Sequence, residues 1–206
     1  GDTKHVLLIP STPKECFDFS VEAFDLADKI QTPVIVLSDL DLGMNDWTTP
    51  EFQWDDSKEY DRGKVLSRED LENSDTWGRY IDVDGDGIPY RTYPGTHPEK
   101  GAYFTRGTSH DEKAKYTEDG KVNAENLSRL LRKYQTASEL VPRPEFNQDS
   151  NTSTIGVIYF GSTEASMKET LDMLEKDGIA LDAMRLRAFP FNLEVWEFIE
   201  DHDLLF

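Results

Sequence analysis

The residues best equipped for chemistry sit between positions 80 and 115. Asp82-Val83-Asp84-Gly85-Asp86-Gly87 has the opening spacing of a calcium loop. There alternate carboxylates converge on a hard cation and a glycine permits the sharp turn. An EF-hand would need a glutamate at the twelfth position, which is Tyr93 here, and flanking helices. The plainer alternative is an acidic hairpin turn that binds nothing. His97, in YPGTHP, and His110, in TRGTSHDE, lie in loops with Arg91 and Arg106 nearby, and Glu112 follows His110 closely enough to pair with it. Loop histidines beside glycines can contact ligands, or can simply hydrogen-bond within their own loop.

Gly161-Ser162-Thr163 joins a strand to a helix, as in a phosphate-cradling turn. It lacks both G-x-G-x-x-G and the lysine of a P-loop, so a plain capped turn is the alternative. No serine or cysteine nucleophile stands in a recognisable motif. The lone Cys16 cannot form an internal disulfide or an iron–sulfur site, and it reads as a packed, inert thiol. A reducing cytoplasmic setting is expected.

The elements that position these residues fall at the two ends of the 206-residue chain. Val6 to Ile9 form an apolar run without alternation, as a parallel strand covered on both faces requires. Thr12 is placed to cap a helix, Pro13 to begin it, and Glu15 to reach back in a capping box. Phe17, Val21, Phe24 and Ala27 or Asp28 recur at helical spacing and predict the buried stripe. Gln31-Thr32-Pro33 closes the helix, and Val34 to Leu37 is expected to be a second buried strand. Strand, helix and strand make one right-handed βαβ unit.

A second unit is expected at the other end. A helix spans 123 to 140, followed by Pro142 and Pro144. A polar linker runs over 145 to 153, a strand over Ile155 to Phe160 and a helix over Glu164 to Lys176. A strand from Ala183 to Ala188, a helix from Leu193 to Glu200 and a last strand opening at Asp203 complete it. Both ends of the chain read as cut from something larger, because a two-strand unit cannot bury its own faces. The fold class is therefore α/β, with parallel-sheet βαβ units at both ends. They are joined by a long, acidic, loop-rich region with short strands, among them a hairpin around residues 80 to 90. Its many aromatics argue against disorder.

The net charge of −19 makes nucleic acid and anionic membranes unsuitable partners. The same acidity fits a solvated surface, a salt-rich habitat or metal binding. No apolar run approaches the roughly 18 to 20 residues that span a bilayer, and no signal peptide is recognisable.

Four stretches carry a resemblance: GDTKHVLLIPSTPKECFDFSVEAFDLADKIQTPVIVLSD, RYIDVDGDGIPYRTYPGTHPEKGAYFTRGTSHDE, YTEDGKV and MRLRAFPF. In this order they resemble the α subunit of 2-oxoacid:ferredoxin oxidoreductases, most closely the 2-oxoglutarate type. The resemblance implies that residues 1–50 are the end of a thiamin pyrimidine-binding domain and 51–123 a connecting loop and hairpin region. Residues 124–206 would then be a truncated transketolase-C-like domain. It implies an enzyme that decarboxylates a 2-oxoacid on thiamin diphosphate, passes electrons through iron–sulfur clusters to ferredoxin and forms an acyl-CoA. Thiamin diphosphate and magnesium would be shared with a β subunit, the cluster would lie on a partner subunit, and a second αβ unit would complete the assembly. Ferredoxin would dock elsewhere, since ferredoxins and this chain are both acidic.

The family's Tyr-Pro-x-Thr-Pro motif, its pyrimidine-activating glutamate and its Val-Glu-Gln-Asn segment are not in this chain, so on its own it is expected to be inactive. The positions matching family motifs are Ser38, Asp39, Arg91, Pro94, Gly95, Thr96, Thr105, Gly107, His110 and Glu112. With His97 and Arg106 they are expected to order or cover an active site, with no direct chemistry. Asp82, Asp84 and Asp86 stay open as metal ligands. Two other readings remain: an acidic cation-binding or scaffold module without catalysis, and an independent α/β nucleotide-binding enzyme built on Gly161 to Thr163.

Overall fold

Val6, Leu7 and Leu8 form the first strand, β1, and its alternate side chains Val6 and Leu8 are buried. The computed structural model describes residues 4–74, 76–105, 109–147 and 152–206. Helix α1 (Pro13–Ile30) follows, with Thr12 accepting from the Glu15 backbone N–H and Pro13 in the first turn. Strand β2 (Val34–Val36) lies parallel to β1, in the register Val6 to Val34. Short helices α2 (Leu40–Met44) and α3 (Arg68–Asn73) come next, and then the long α4 (Gly120–Ser138). Strands β3 (Glu145–Phe146) and β4 (Ile155–Phe160) lead to α5 (Thr163–Lys176). The chain closes with β5 (Asp182–Leu186), β6 (Ala188–Phe189), α6 (Leu193–Glu200) and β7 (Leu204–Leu205).

Two sheets result. The first has the order β2-β1-β6, and the second β3-β5-β4-β7. Strands β4, β5 and β7 run parallel, while β3 is antiparallel to β5. The α/β class with parallel βαβ units at both ends holds.

Several expectations are corrected. The buried face of α1 is Glu15, Phe19, Ala23, Leu26 and Ile30, whereas Phe24 is 81% exposed. Both stripes have helical spacing; Phe19, Leu26 and Ile30 are the ones that meet Val6, Leu8 and Ala188 in the first core. Glu15 does not close a capping box. Its carboxylate turns away from the Thr12 backbone to the Ser11 N–H at 2.8 Å and to two arginines of the second unit. Strand β2 is not buried on both faces, since Ile35 is 44% exposed at the sheet edge.

The hairpin around residues 80 to 90 is absent. Residues 82 to 87 form a bend closed by the Gly87 N–H donating to Asp82, and the chain pairs elsewhere, through isolated bridges Val65–Arg91 and His110–Tyr116. Gly87 adopts φ +82°, and a Cβ there would meet the Lys133 backbone nitrogen at 2.2 Å. Only glycine lets this bend lie flat on α4.

The two ends pack together. Helix α4 packs on the first unit. Ala137 enters the first core, and Lys133 donates to the carbonyl of Gln31 at the end of α1. The second unit returns the contact, because β6 adds antiparallel to β1, with Leu7 opposite Phe189. The second core gathers Met184, Val195 and Phe198.

Candidate functional site

The carboxyl ends of β1 and β2 are where a parallel sheet offers side chains to a ligand. Here they carry Ser11 and, just beyond β2, Ser38 and Asp39. Ser38 is exposed. Asp39 caps α2 by accepting from the Leu42 N–H at 2.9 Å, and its other oxygen accepts from the Ser162 N–H at 2.7 Å. Burial opposes the charged form of Asp39, but these backbone donors outweigh it and hold the carboxyl below its usual range. The turn Gly161-Ser162-Thr163 therefore does hold an anion at the start of α5, and the anion is the chain's own carboxylate. Gly161 stands at φ +63°, and a Cβ there would lie 2.6 Å from Asp39 Oδ2.

Beside this joint lies a buried ionic cluster that the sequence motifs did not indicate. Arg185 donates through Nη1 to Glu15 at 2.8 Å and through Nη2 to Glu145 at 2.7 Å. Arg187 donates to the far oxygen of Glu15 at 2.9 Å. Glu164 completes the ring, 3.5 Å from Arg185 and hydrogen-bonded by the Ser11 hydroxyl. Burial raises the Glu15 carboxyl, but hydrogen bonds from Arg185 and the Ser11 N–H, with the Arg185 charge, overcome it and bring the pKa to about 2. Strand alternation was the available signal: Arg185 and Arg187 are two residues apart and share a face. Glu15 reads locally as a capping residue, which hid its partners.

The loop residues singled out by motif are not brought to one point. His97 Nδ1 accepts from the N–H groups of Glu99 and Lys100, ordering its own turn, and Thr96 donates to the carbonyl of Tyr93. Lys100 reaches back to carbonyls of Leu71 and Ser74 and ties that turn to α3. Arg91 donates to Asp28 at 3.1 Å and to the Arg62 carbonyl at 2.8 Å, fixing the loop on α1. His110 stacks on Tyr80 at 3.9 Å between ring centres, and its carbonyl accepts from Asn126 of α4. Glu112 is exposed and contributes its backbone carbonyl to Tyr80 N–H, not its carboxylate to His110. Arg106 lies outside the described residues.

The three aspartates of the bend also part company. Asp84 and Asp86 both pair with the Lys64 ammonium, at 2.6 and 2.7 Å, whereas Asp82 accepts from Arg132 at 2.9 Å. Among the described residues no group of three or more potential ligands is arranged to hold a metal. Two further buried cations sit on α4. Arg129 donates to the Gly87 carbonyl, and Lys133, beside it, is depressed to about 8 by burial and by the charges of Arg129 and Arg79.

Residues 1–136 match the family described as pyruvate flavodoxin/ferredoxin oxidoreductase, thiamine diphosphate-binding. The chain belongs to this family. Relatives agree. The chain is 30% identical over 196 residues to 2-oxoacid:ferredoxin oxidoreductase 2, subunit alpha, of Aeropyrum pernix, covering 93% of this chain and 29% of that one. It is 54% identical over 39 residues to the 2-oxoglutarate synthase subunit KorA of Methanothermobacter marburgensis, covering 19% of this chain and 10% of that one. The whole chain superposes on 35% of a 2-oxoglutarate:ferredoxin oxidoreductase from Magnetococcus marinus solved with 2-oxoglutarate, coenzyme A and succinyl-CoA, with TM-score 0.83 and 22% identity. The chain thus spans about a third of the proteins it matches.

The described residues at the strand ends do not by themselves make a thiamin site. Ser11 and Asp39 are committed to partners within the chain, and no side chain at these ends has a buried polar atom left without one. No helix among the described residues is long and apolar enough to cross a membrane.

Proposed function

We propose that this chain is part of the α subunit of a thiamin-dependent 2-oxoacid:ferredoxin oxidoreductase of the 2-oxoglutarate type. The enzyme would oxidatively decarboxylate 2-oxoglutarate to an acyl-CoA and deliver the electrons to ferredoxin. The observation that carries the reading is the family match over two thirds of the chain, and the 54% identical stretch shared with a 2-oxoglutarate synthase subunit favours the substrate class. Thiamin diphosphate would supply the electron sink for decarboxylation. It would be held mainly by segments outside this chain and by a β subunit bearing the diphosphate and magnesium site.

The role of this chain is positional. Asp39 and the Glu15–Arg185 cluster lock the end of one unit to the start of α5, so that the β1 and β2 ends keep a fixed place relative to the second sheet. Arg91, Thr96, His97 and His110 would order the loops that pack on α1, α3 and α4. The iron–sulfur cluster belongs on a partner subunit.

Viologen reduction by the assembled α and β subunits tests this, with coenzyme A and 2-oxoglutarate, pyruvate or a branched-chain 2-oxoacid supplied in turn. The expected result is reduction with 2-oxoglutarate above all, and none with this chain alone. Turnover preferring pyruvate would overturn the substrate class; the absence of any 2-oxoacid-dependent reduction would overturn the enzyme reading.

A further inference from the structure

The stripe Phe17, Val21 and Phe24 of α1 faces away from the core. Residues 45 to 62 cross it as an irregular strap, with Phe52 stacked on Phe17 at 5.1 Å and Trp54 edge-on to the same ring at 6.3 Å. Between helix and strap runs an apolar groove of about 430 Å³, walled by Phe17, Phe24, Trp54 and Tyr60 with Asp25 at its side. Phe24 is 81% and Trp54 58% exposed. Apolar surface gathered this way marks a contact site, not an ordinary scattering of exposed residues.

The groove is lined by one cation, Arg62, which is held on Asp28, and by the carboxylate of Asp25. Asp18, Glu22 and Asp25 lie along the same flank of α1 at i, i+4 and i+7. Asp18 is paired with Lys14. Among the described residues neither Glu22 nor Asp25 has an ion pair, and Asp25 Oδ1 is buried without a hydrogen-bond partner. The nearby cations are engaged elsewhere: Arg62 on Asp28, and Lys58 over the Tyr60 ring at 5.3 Å. Burial raises the Glu22 carboxyl, the charges of Arg187 and Lys58 oppose the rise, and Asp25 and Asp18 add to it.

We propose that this groove seats a polypeptide segment of another subunit that presents a lysine or arginine flanked by apolar side chains. Charge complementarity selects this occupant. The ammonium or guanidinium would satisfy Asp25 and Glu22 while stacking on the aromatic walls, and the apolar neighbours would cover Phe24 and Trp54. A second copy of this chain, at net charge −19, would bring more carboxylates to the same flank. The inference rests on the subunit reading above and names the surface and chemistry by which the β subunit docks.

Its test is titration of the full α polypeptide carrying this chain with the purified β subunit, at low and high salt. Phe24→Ser, Trp54→Ser and Asp25→Lys are compared with Glu169→Lys, an exposed charge change on α5. Phe24, Trp54 and Glu169 are exposed and Asp25 is half-buried, and circular dichroism verifies that the variants fold. Each groove variant should weaken association at least tenfold, Glu169→Lys should leave it within twofold, and rising salt should weaken the parent complex. Groove variants that bind like the parent would overturn the docking site. Parent binding indifferent to salt would overturn the basic partner, and self-association lost in Phe24→Ser would assign the groove to a second copy. No association of the parent with the β subunit would overturn the subunit reading, and the docking inference with it.

Discussion

Asp39 Oδ2 accepts from the backbone N–H of Ser162 at 2.7 Å, across 123 positions of sequence. The residue at the end of the first βαβ unit thereby fills the anion-binding start of the helix in the second. Gly161 is required for the approach, since any Cβ would press on the carboxylate and φ +63° disfavours other residues.

Asp39→Ala should remove both the cap of α2 and this joint, costing about 1–2 kcal/mol. Gly161→Ala should cost at least as much through backbone strain and the clash. Urea denaturation measures both. ATP or coenzyme A titrated into the chain should give no heat attributable to this turn, because its donors are already used; binding abolished by Gly161→Val would instead support a nucleotide site.

The Glu15 cluster sets acid stability. Its carboxyl, at about 2 when folded against 4.5 ordinarily, binds its proton more weakly in the folded state. Its contribution is therefore complete above pH 4.5 and is lost as pH falls toward 2, amounting to about 3 kcal/mol if fully expressed. Glu15→Gln should destabilise the chain by a similar amount at pH 7, because Arg185 and Arg187 lose their shared partner. It should also flatten the fall in stability between pH 4.5 and 2. An unaltered acid profile in that variant would mean that other carboxylates carry the transition.

Lys133 predicts a second rise of stability with pH, in the alkaline range, because here burial disfavours the charged form. Its folded pKa of about 8 lies below the ordinary 10.5, so the folded chain releases the proton first and stability rises from pH 8 to 10.5. Lys133→Met should abolish that rise. Denaturation midpoints measured at half-unit steps across the window test it, and a flat parent curve would count against burial of the charge.

The Asp82–Asp86 bend should ignore calcium. Lys64 lies between Asp84 and Asp86, and Arg132 holds Asp82. Millimolar calcium should leave the melting temperature within about 1 °C, a shift far below what linked tight binding produces. A rise of several degrees, lost in Asp84→Ala, would reinstate the bend as a metal site.

Local rules sufficed for much of this chain. Thr12-Pro13 placed the start of α1, Gly178 the end of α5, and the apolar runs β1 and β4, because caps, positive φ and uninterrupted hydrophobicity are decided within a few residues. The motifs around His97 and His110 were legible as loops, whereas the hairpin expected at 80 to 90 was not formed; the partners of these residues lie on α1, α3 and α4, beyond any local pattern.

Sequence by itself therefore determined the α/β class, the order of the main elements and the family resemblance. Tertiary structure alone decided which of two helical stripes of α1 is core. It also decided that β6 joins the first sheet, and that Asp39 and Glu15 face the second unit. Periodicity reports that a face is apolar; only the surface it meets determines whether Phe19 or Phe24 is buried, and that surface joins nearby Val6 and Leu8 to Ala137 and Ala188, more than a hundred positions away.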